Sequence, residues 1–293
     1  YNIAAGRYEL GTIGENDLLQ SELAYQNALK TLPLAEATAL TFVTPLIVAL
    51  ASGPLLGEKV RLGAWLATGR TAIMVGLSAA LLHGSRWIDD DIVPEVLATH
   101  SRAPAGIKAY RGELRADEVT RRRGIRCTSV VRTAFDLGRR LAGDEAVIQV
   151  DALLNRTRTP VADVVTMARR HAGERNVQRL REVIELVDPG AESKQETMVR
   201  LLLVDGGLPR PVTQHWVGNR RVDLAWPEWK VGVEYDGAQH WADRFTHGDD
   251  IARREFFAER GWRLVHVVHA HLADPAGIVA RARKALLAAG WQG

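Results

Sequence analysis

From residue 191 to the end, the period of the apolar positions changes several times, and each change marks an element. Residues 196–204 carry apolar side chains at helical spacing and stop at Gly206-Gly207, which predicts a helix. Residues 211–217 read as a strand. Residues 221–226 and 231–235 alternate about Pro227-Glu228-Trp229-Lys230, the pattern of a hairpin. A helix over 249–260 with Gly261 as its stop, a strand over Arg263–Val268 and a closing helix over Pro275–Ala288 follow. A helical crossover between 231–235 and 263–268 makes those two strands parallel. The pattern predicts an α/β domain over 191–293: a mixed β-sheet flanked by helices.

Residues 70–190 predict a mainly helical region with short strands. TAIMVGLSAALLHG reads as one apolar helix with Gly76 inside it and Gly84 as its stop. DIVPEVLATH and RAPAGIKAYRGEL read as short strands between Pro and Gly turns. In GIRCTSVVRTAFDLGRRL, Thr128 or Ser129 caps a helix with Val131, Ala134, Phe135 and Leu137 at helical spacing. EAVIQVDALLN, VADVVTMARRH and NVQRLREVIELV continue as amphipathic helices, and Asp188-Pro189-Gly190 marks the boundary to the next domain. No catalytic constellation emerges here; His83, His100 and His171 are scattered.

Composition adds direction. The 293 residues are 46% hydrophobic and 25% charged, an ordinary globular balance. Net charge is +3 with a pI of about 9.2, and the basic excess gathers between residues 101 and 190 around Arg121-Arg122-Arg123 and Arg126. Such a stretch suits a polyanion, although a solvated basic surface is the commoner cause. Arginine outnumbers lysine and supplies bidentate phosphate donors. The single cysteine, Cys127, excludes an internal disulfide and a cysteine-rich zinc site, and fits a reducing, cytoplasmic setting. The chain starts at Tyr1 without methionine and without a secretory pattern, so the expectation is a reading frame that began further upstream or a trimmed one.

From Ala37 to Gly57 no residue is charged, and the stretch is long enough to span a bilayer. Pro45 and Ser52-Gly53-Pro54 equally allow a buried helix–loop–helix. The surrounding residues 29–69, with Leu-Pro-Leu-Ala-Glu-Ala, Thr-Pro and Leu-Gly-Glu-Lys, resemble a fragment of an EamA-type transporter. That resemblance implies a foreign segment over 1–69, joined by fusion, rearrangement or faulty assembly near 64–69, and membrane association as the alternative localisation. In the next region, GLSAALLHG and CTSVVRTAFDL resemble the part that precedes nuclease domains in AbiEi-antitoxin-like bacterial proteins. A toxin–antitoxin or defence partner follows as an expectation from that resemblance.

The hairpin carries the chemistry. A symmetric loop sets Asp223 opposite Glu234 and Ala225 opposite Gly232, while Glu234 and Asp236 share a face. Val231, Val233 and Tyr235 point the other way, with Val222 and Leu224, towards a core. Three carboxylates therefore converge, and opposed like charges destabilise a sheet unless a cation or a proton intervenes. Oxygen-only donors favour Mg²⁺ or Mn²⁺. The plainer alternative is a solvated hairpin edge balanced by Arg220 and Arg221.

Asp223, followed after the turn by Glu234-Tyr235-Asp236, is similar to the core motif of PD-(D/E)XK nucleases. VDLAWPEWKVGVEYDGAQH resembles the very-short-patch-repair-related domain of bacteria, and the likeness continues through Asp249-Asp250-Ile251-Ala252-Arg253-Arg254 to GWRLVHV. The resemblance implies a restriction-endonuclease-like fold and an Mg²⁺- or Mn²⁺-dependent DNA endonuclease that needs no small-molecule cofactor. By it, Asp223 and Glu234 are metal-binding carboxylates, with Glu196 as a third from the preceding helix. Ser193-Lys194-Gln195-Glu196 is also a capping box, and the two roles are compatible. Asp236 stands where many of these nucleases have lysine, and His240 is placed to position a water or a phosphate. Arg253, Arg254 and the arginines at 121, 122 and 123 are the expected phosphate contacts. The competing reading is a non-catalytic DNA-binding or antitoxin-like regulator that keeps the nuclease fold.

Overall fold

The computed structural model describes residues 72–89, 92–97, 106–237 and 246–293, all within the compact unit Thr68–Gly293. The transporter-like segment over 1–69, with the apolar run from Ala37 to Gly57, and the candidate His240 lie outside the described residues. Among the described residues no helix is long and apolar enough to cross a membrane.

Two sheets organise the described residues, giving an α/β fold in which helices flank mixed sheets. The first has the order β3-β2-β1-β5-β4: β1 (Ile73–Met74), β2 (Glu95–Leu97), β3 (Lys108–Tyr110), β4 (Val119–Arg122) and β5 (Ile125–Thr128). The stretch expected to be one helix from Thr71 to Gly84 therefore divides. Ile73 and Met74 pair with β2, Met74 also with Cys127 of β5, and helix α1 (Gly76–Leu82) begins only afterwards. Gly76 opens that helix at φ +54, and a Cβ there would collide with Glu95 Oε2. The Glu95 carboxylate accepts from Leu77 N–H at 2.7 Å, so a neighbouring strand supplies the cap that the local sequence lacks.

Ser129 caps α2 (Val130–Arg140), accepting from Arg132 N–H. This helix packs with α3 (Gly143–Thr157), α4 (Val161–Arg170) and α5 (Val177–Leu186) around Phe135, Leu137, Leu153, Leu154 and Leu180. Helix α6 (Lys194–Asp205) serves two cores, with Leu201 in the one just described and Val199 and Leu203 in the next.

The second sheet runs β6 (Val212–Val217), β7 (Arg220–Trp226), β8 (Val231–Asp236), β9 (Arg263–Val268). Strands β8 and β9 are parallel, joined through α7 (Thr246–Glu259). Gly261, at φ +74, follows that helix, and Trp262 N–H returns to Phe257 O. Asp274 caps α8 (Pro275–Ala288). Leu224, Trp226, Val231, Val233 and Val267 form a core with α6 and α8. Val222 departs from the expected grouping and joins a separate core with Val217, Ala225 and Phe257. The strand loses strict alternation at Asp223, between Val222 and Leu224. Gly232 permits that packing: a Cβ there would meet Val222 Cγ1 at 2.5 Å and Leu264 Cδ2 at 2.9 Å.

Candidate active site

The site lies where the second sheet stops being regular. The β6–β7 ladder pairs Thr213 with Leu224 and His215 with Val222, but the pair between them, Gln214 and Asp223, is not closed. Gln214 has left-handed backbone at φ +50. On the other side, the β7–β8 ladder runs from Trp226–Val231 to Leu224–Val233 and ends there. Tyr235 N–H then donates to Asp223 Oδ2 at 2.9 Å, so a side chain takes over from the ladder. Across the parallel pair, Glu234 stands beside His266. Followed through the register, Gln214, Asp223, Glu234 and His266 form one polar row across four strands.

Three further groups join the row. Glu196, in the first turn of α6, accepts from Glu192 N–H and Ser193 Oγ at 2.8 Å each and from Gln214 Nε2 at 2.9 Å. Ser193 Oγ in turn accepts from Glu196 N–H at 3.1 Å. The expected cap is present, except that Glu196 reaches the Glu192 N–H rather than that of Ser193. Arg253, from α7, engages both carboxylate oxygens of Glu234, with Nε 3.3 Å from Oε2 and Nη2 on Oε1. The same Nη2 donates to Arg221 O at 2.6 Å. His266 Nδ1 is 3.1 Å from Asp236 Oδ2 and 3.8 Å from Glu234 Oε2.

Electrostatics follow from this crowding. Burial first, and then the charges of Glu196 and Glu234, push the Asp223 carboxyl up to about 7, against the lowering effects of Tyr235 N–H and Arg253. The hydrogen bond to Asp236 holds His266 above the ordinary histidine value, although burial and Arg254 oppose it. Among the described residues, Glu196 and Glu234 act on Asp223 from the acidic side and Arg221 and Arg253 from the cationic side, while Glu234 is paired with Arg253 and Asp236 with the His266 ring. Four carboxylates with oxygen-only donors suit a hard divalent ion, and the raised Asp223 value marks where added positive charge is best accommodated. By donor type alone, Asp223, Glu234 and Glu196 are the kind of ligands such an ion takes. Among the described residues, however, no three such side chains are arranged so that they could hold a metal ion. Glu196 is engaged by its cap, and Glu234 by Arg253.

The expected phosphate contacts fall in separate places. Arg121, Arg122 and Arg123 are exposed on the β4–β5 hairpin of the first sheet, where Arg121 Nη1 donates to Gly124 O and Arg122 Nε to His83 Nδ1. Arg254 is exposed on α7, near enough to His266 to act on its charge. Arg253 is turned inward onto Glu234. Sequence reasoning missed His266 and Gln214. His266 is the polar position in the apolar run Leu264–Val268, and pairing that strand in parallel with β8 brings it to Glu234. Gln214 had no comparable signal.

No family model matches the chain, and no solved structure matches it. Two relatives do, each described as an uncharacterized protein of Mycobacterium tuberculosis, one from strain CDC 1551 and one from strain H37Rv. Each is 28% identical over 177 residues, covering 59% of this chain and 61% of the relative. The chain thus spans less than two thirds of the length of these curated relatives.

Proposed function

We propose that the row Asp223–Glu234, with Glu196 and Asp236, is the centre of a metal-dependent endonuclease of the PD-(D/E)XK type that hydrolyses phosphodiester bonds in DNA. The observation that carries this reading is Asp223, its carboxyl held near 7 between Glu196 and Glu234 where the sheet parts. A structural carboxylate in a sheet interior is ordinarily matched by donors; among the described residues this one accepts from one backbone N–H and has two acidic neighbours, Glu196 and Glu234. Asp223 and Glu234 would hold the ion and Glu196 would complete the set. When bound, Mg²⁺ or Mn²⁺ supplies an acidified water and polarises the phosphoryl oxygen. Asp236 fixes the His266 ring, which offers a donor at the rim of the row, and His240 would position a water or a phosphate. Arg254 and the arginines of the β4–β5 hairpin would hold the backbone, giving affinity with little sequence readout. The same reading assigns the protein to the cytoplasm, with DNA and a toxin–antitoxin or defence component as partners.

The test is cleavage of plasmid and short duplex DNA by the full chain with Mg²⁺, Mn²⁺ or chelator, alongside Asp223→Ala and Glu234→Ala. Metal-dependent cleavage that both substitutions abolish supports the assignment. Full activity in both variants removes these residues from the chemistry. A second reading, a DNA-binding or antitoxin-like regulator without cleavage, is favoured by the pairs Arg253–Glu234 and His266–Asp236: the first neutralises Glu234 with the protein's own cation, and the second occupies an Asp236 oxygen. DNA binding without cleavage under every metal selects it.

A further inference from the structure

Glu234 is the best-buried acid of the row and already has a cation on both oxygens. Its side chain is 6% exposed, whereas that of Arg253 is 31% exposed. The arginine reaches solvent from α7; the carboxylate does not. The guanidinium also lies over the Phe257 ring, 5.3 Å from its centroid, and spans to Arg221 O, so its inward position is held by three contacts of different kinds. An arginine cannot leave a carboxylate by losing its proton; it leaves by exchanging partners. A phosphodiester offers the same planar pair of anionic oxygens to the same fork of N–H donors.

We propose that Arg253 is the internal counter-ion of the metal site. A DNA phosphate draws it off Glu234, which frees both carboxylate oxygens for the ion, so that nucleic acid and metal bind cooperatively. The inference rests on the nuclease reading and adds an order to it. Without substrate, Arg253 keeps Glu234 neutralised and competes with the metal. With substrate, the guanidinium neutralises the phosphate and the ion neutralises the carboxylates. By linkage, the factor by which DNA tightens metal binding equals the factor by which metal tightens DNA binding.

The experiment measures Mn²⁺ affinity of the full chain from the spin-resonance signal of the free ion, with and without a phosphorothioate duplex that resists cleavage. Binding to the duplex alone is subtracted. Arg253→Met should bind Mn²⁺ about tenfold tighter than the unmodified protein when DNA is absent, and the duplex should add nothing further. The unmodified protein should gain about that factor on adding duplex, and its DNA affinity should rise equally with Mn²⁺. Arg253→Lys, which keeps the charge and loses the fork, should fall between. Should Arg253→Met fail to fold, Glu234→Gln in chelator serves instead. It releases Arg253 and should tighten DNA binding more than Asp223→Asn, which removes a neighbouring acid and leaves the pair intact, both measured at pH 8 or above, where Asp223 is ionised. Mn²⁺ binding that is no tighter in Arg253→Met, or equal gains in Glu234→Gln and Asp223→Asn, overturns the counter-ion role and leaves the metal site standing. Absence of Mn²⁺ binding in both proteins, with and without DNA, overturns the nuclease reading and this inference with it.

Discussion

Tyr235 N–H closes on the Asp223 carboxylate at 2.9 Å, at the point where the β7–β8 ladder gives out. One oxygen therefore has a structural duty while the charge on the group is unwelcome. Asp223→Asn separates the two, keeping an acceptor and deleting the charge. The folded-state value, about 7, lies above the ordinary 3.8. The stability tied to this proton is therefore fully present below about pH 3.8 and is lost as pH rises through about 7. In chelator, Asp223→Asn should melt higher than the unmodified protein at pH 8, by on the order of 2–4 kcal/mol, and the difference should vanish towards pH 4. Saturating Mn²⁺ should shrink it at pH 8. Thermal melts across that range, with both proteins in the same buffers, check the sign and the window.

Glu196 is the other acid with two duties. Its three acceptor contacts tie the start of α6 to Gln214 at the irregular point of β6. Glu196→Ala leaves Glu192 N–H and the Gln214 amide without that partner and should cost about 1–2 kcal/mol in urea unfolding. Ser193→Ala, which removes the capping hydroxyl and spares the carboxylate, should cost about 1 kcal/mol. Cleavage should fall less in Glu196→Ala than in Asp223→Ala. An Asp223-sized loss of activity in Ser193→Ala would assign the effect to the cap rather than to the acid.

The strands and helices after residue 191 were legible because their signals are local: Gly261 and Pro275 bound elements whose internal periods agree with them. The hairpin register was legible too, and Ala225 does pair with Gly232. Strand β1 was not, because Ile73 and Met74 are strand only through partners at Val96, Leu97 and Cys127, and the same residues continue an apolar helix pattern. Val222 was assigned to the wrong core because alternation was carried through Asp223, where the sheet in fact breaks step. The pairing of Arg253 with Glu234 was not legible, because a charged helix position resembles a solvated one until its partner is folded beneath it. Residue types were visible in the chain; which charges face one another depends on contacts that no spacing encodes.

The arginines of the β4–β5 hairpin give a test of DNA contact that does not depend on cleavage. Arg121 stands directly opposite Arg126, and like charges across a sheet repel. Phosphates between them would relieve that repulsion. Replacing Arg121, Arg122 and Arg123 by alanine should lower the salt slope of DNA binding by about 0.9 for each phosphate that these side chains neutralise. Arg121→Thr alone should stabilise the free protein slightly at low salt, by a few tenths of a kcal/mol. An unchanged salt slope would place the DNA away from this hairpin.

Arg200 and Asp151 test how the sheet domain is fastened to the helices before it. Both side chains are fully buried, with Nη2 of Arg200 2.8 Å from Asp151 Oδ2. Asp151, on α3, also accepts from Asp188 N–H at 2.7 Å and Thr197 Oγ1 at 3.1 Å, while Arg200 Nη1 donates to Leu186 O at 2.6 Å. Among the described residues Arg200 Nε has no partner, so the guanidinium is not perfectly satisfied there. A buried pair of this kind adds little over an apolar substitute, yet breaking it strands a charge. Arg200→Met should therefore cost about 3–5 kcal/mol, as it leaves the Asp151 carboxylate without its cation. Asp151→Asn with Arg200→Met removes both charges and should recover most of that loss, because the asparagine amide oxygen can still accept from Asp188 N–H while its NH2 donates to the Thr197 hydroxyl. The cost of Arg200→Met should also grow with pH, since protonation is the means by which an uncompensated carboxylate is tolerated inside a protein. Chemical denaturation of the two single variants and the double variant at pH 5 and pH 8 yields the coupling directly. Additive losses would mean that the pair does not act as a unit, and that α3 and α6 are held together by Leu201 and its neighbours alone.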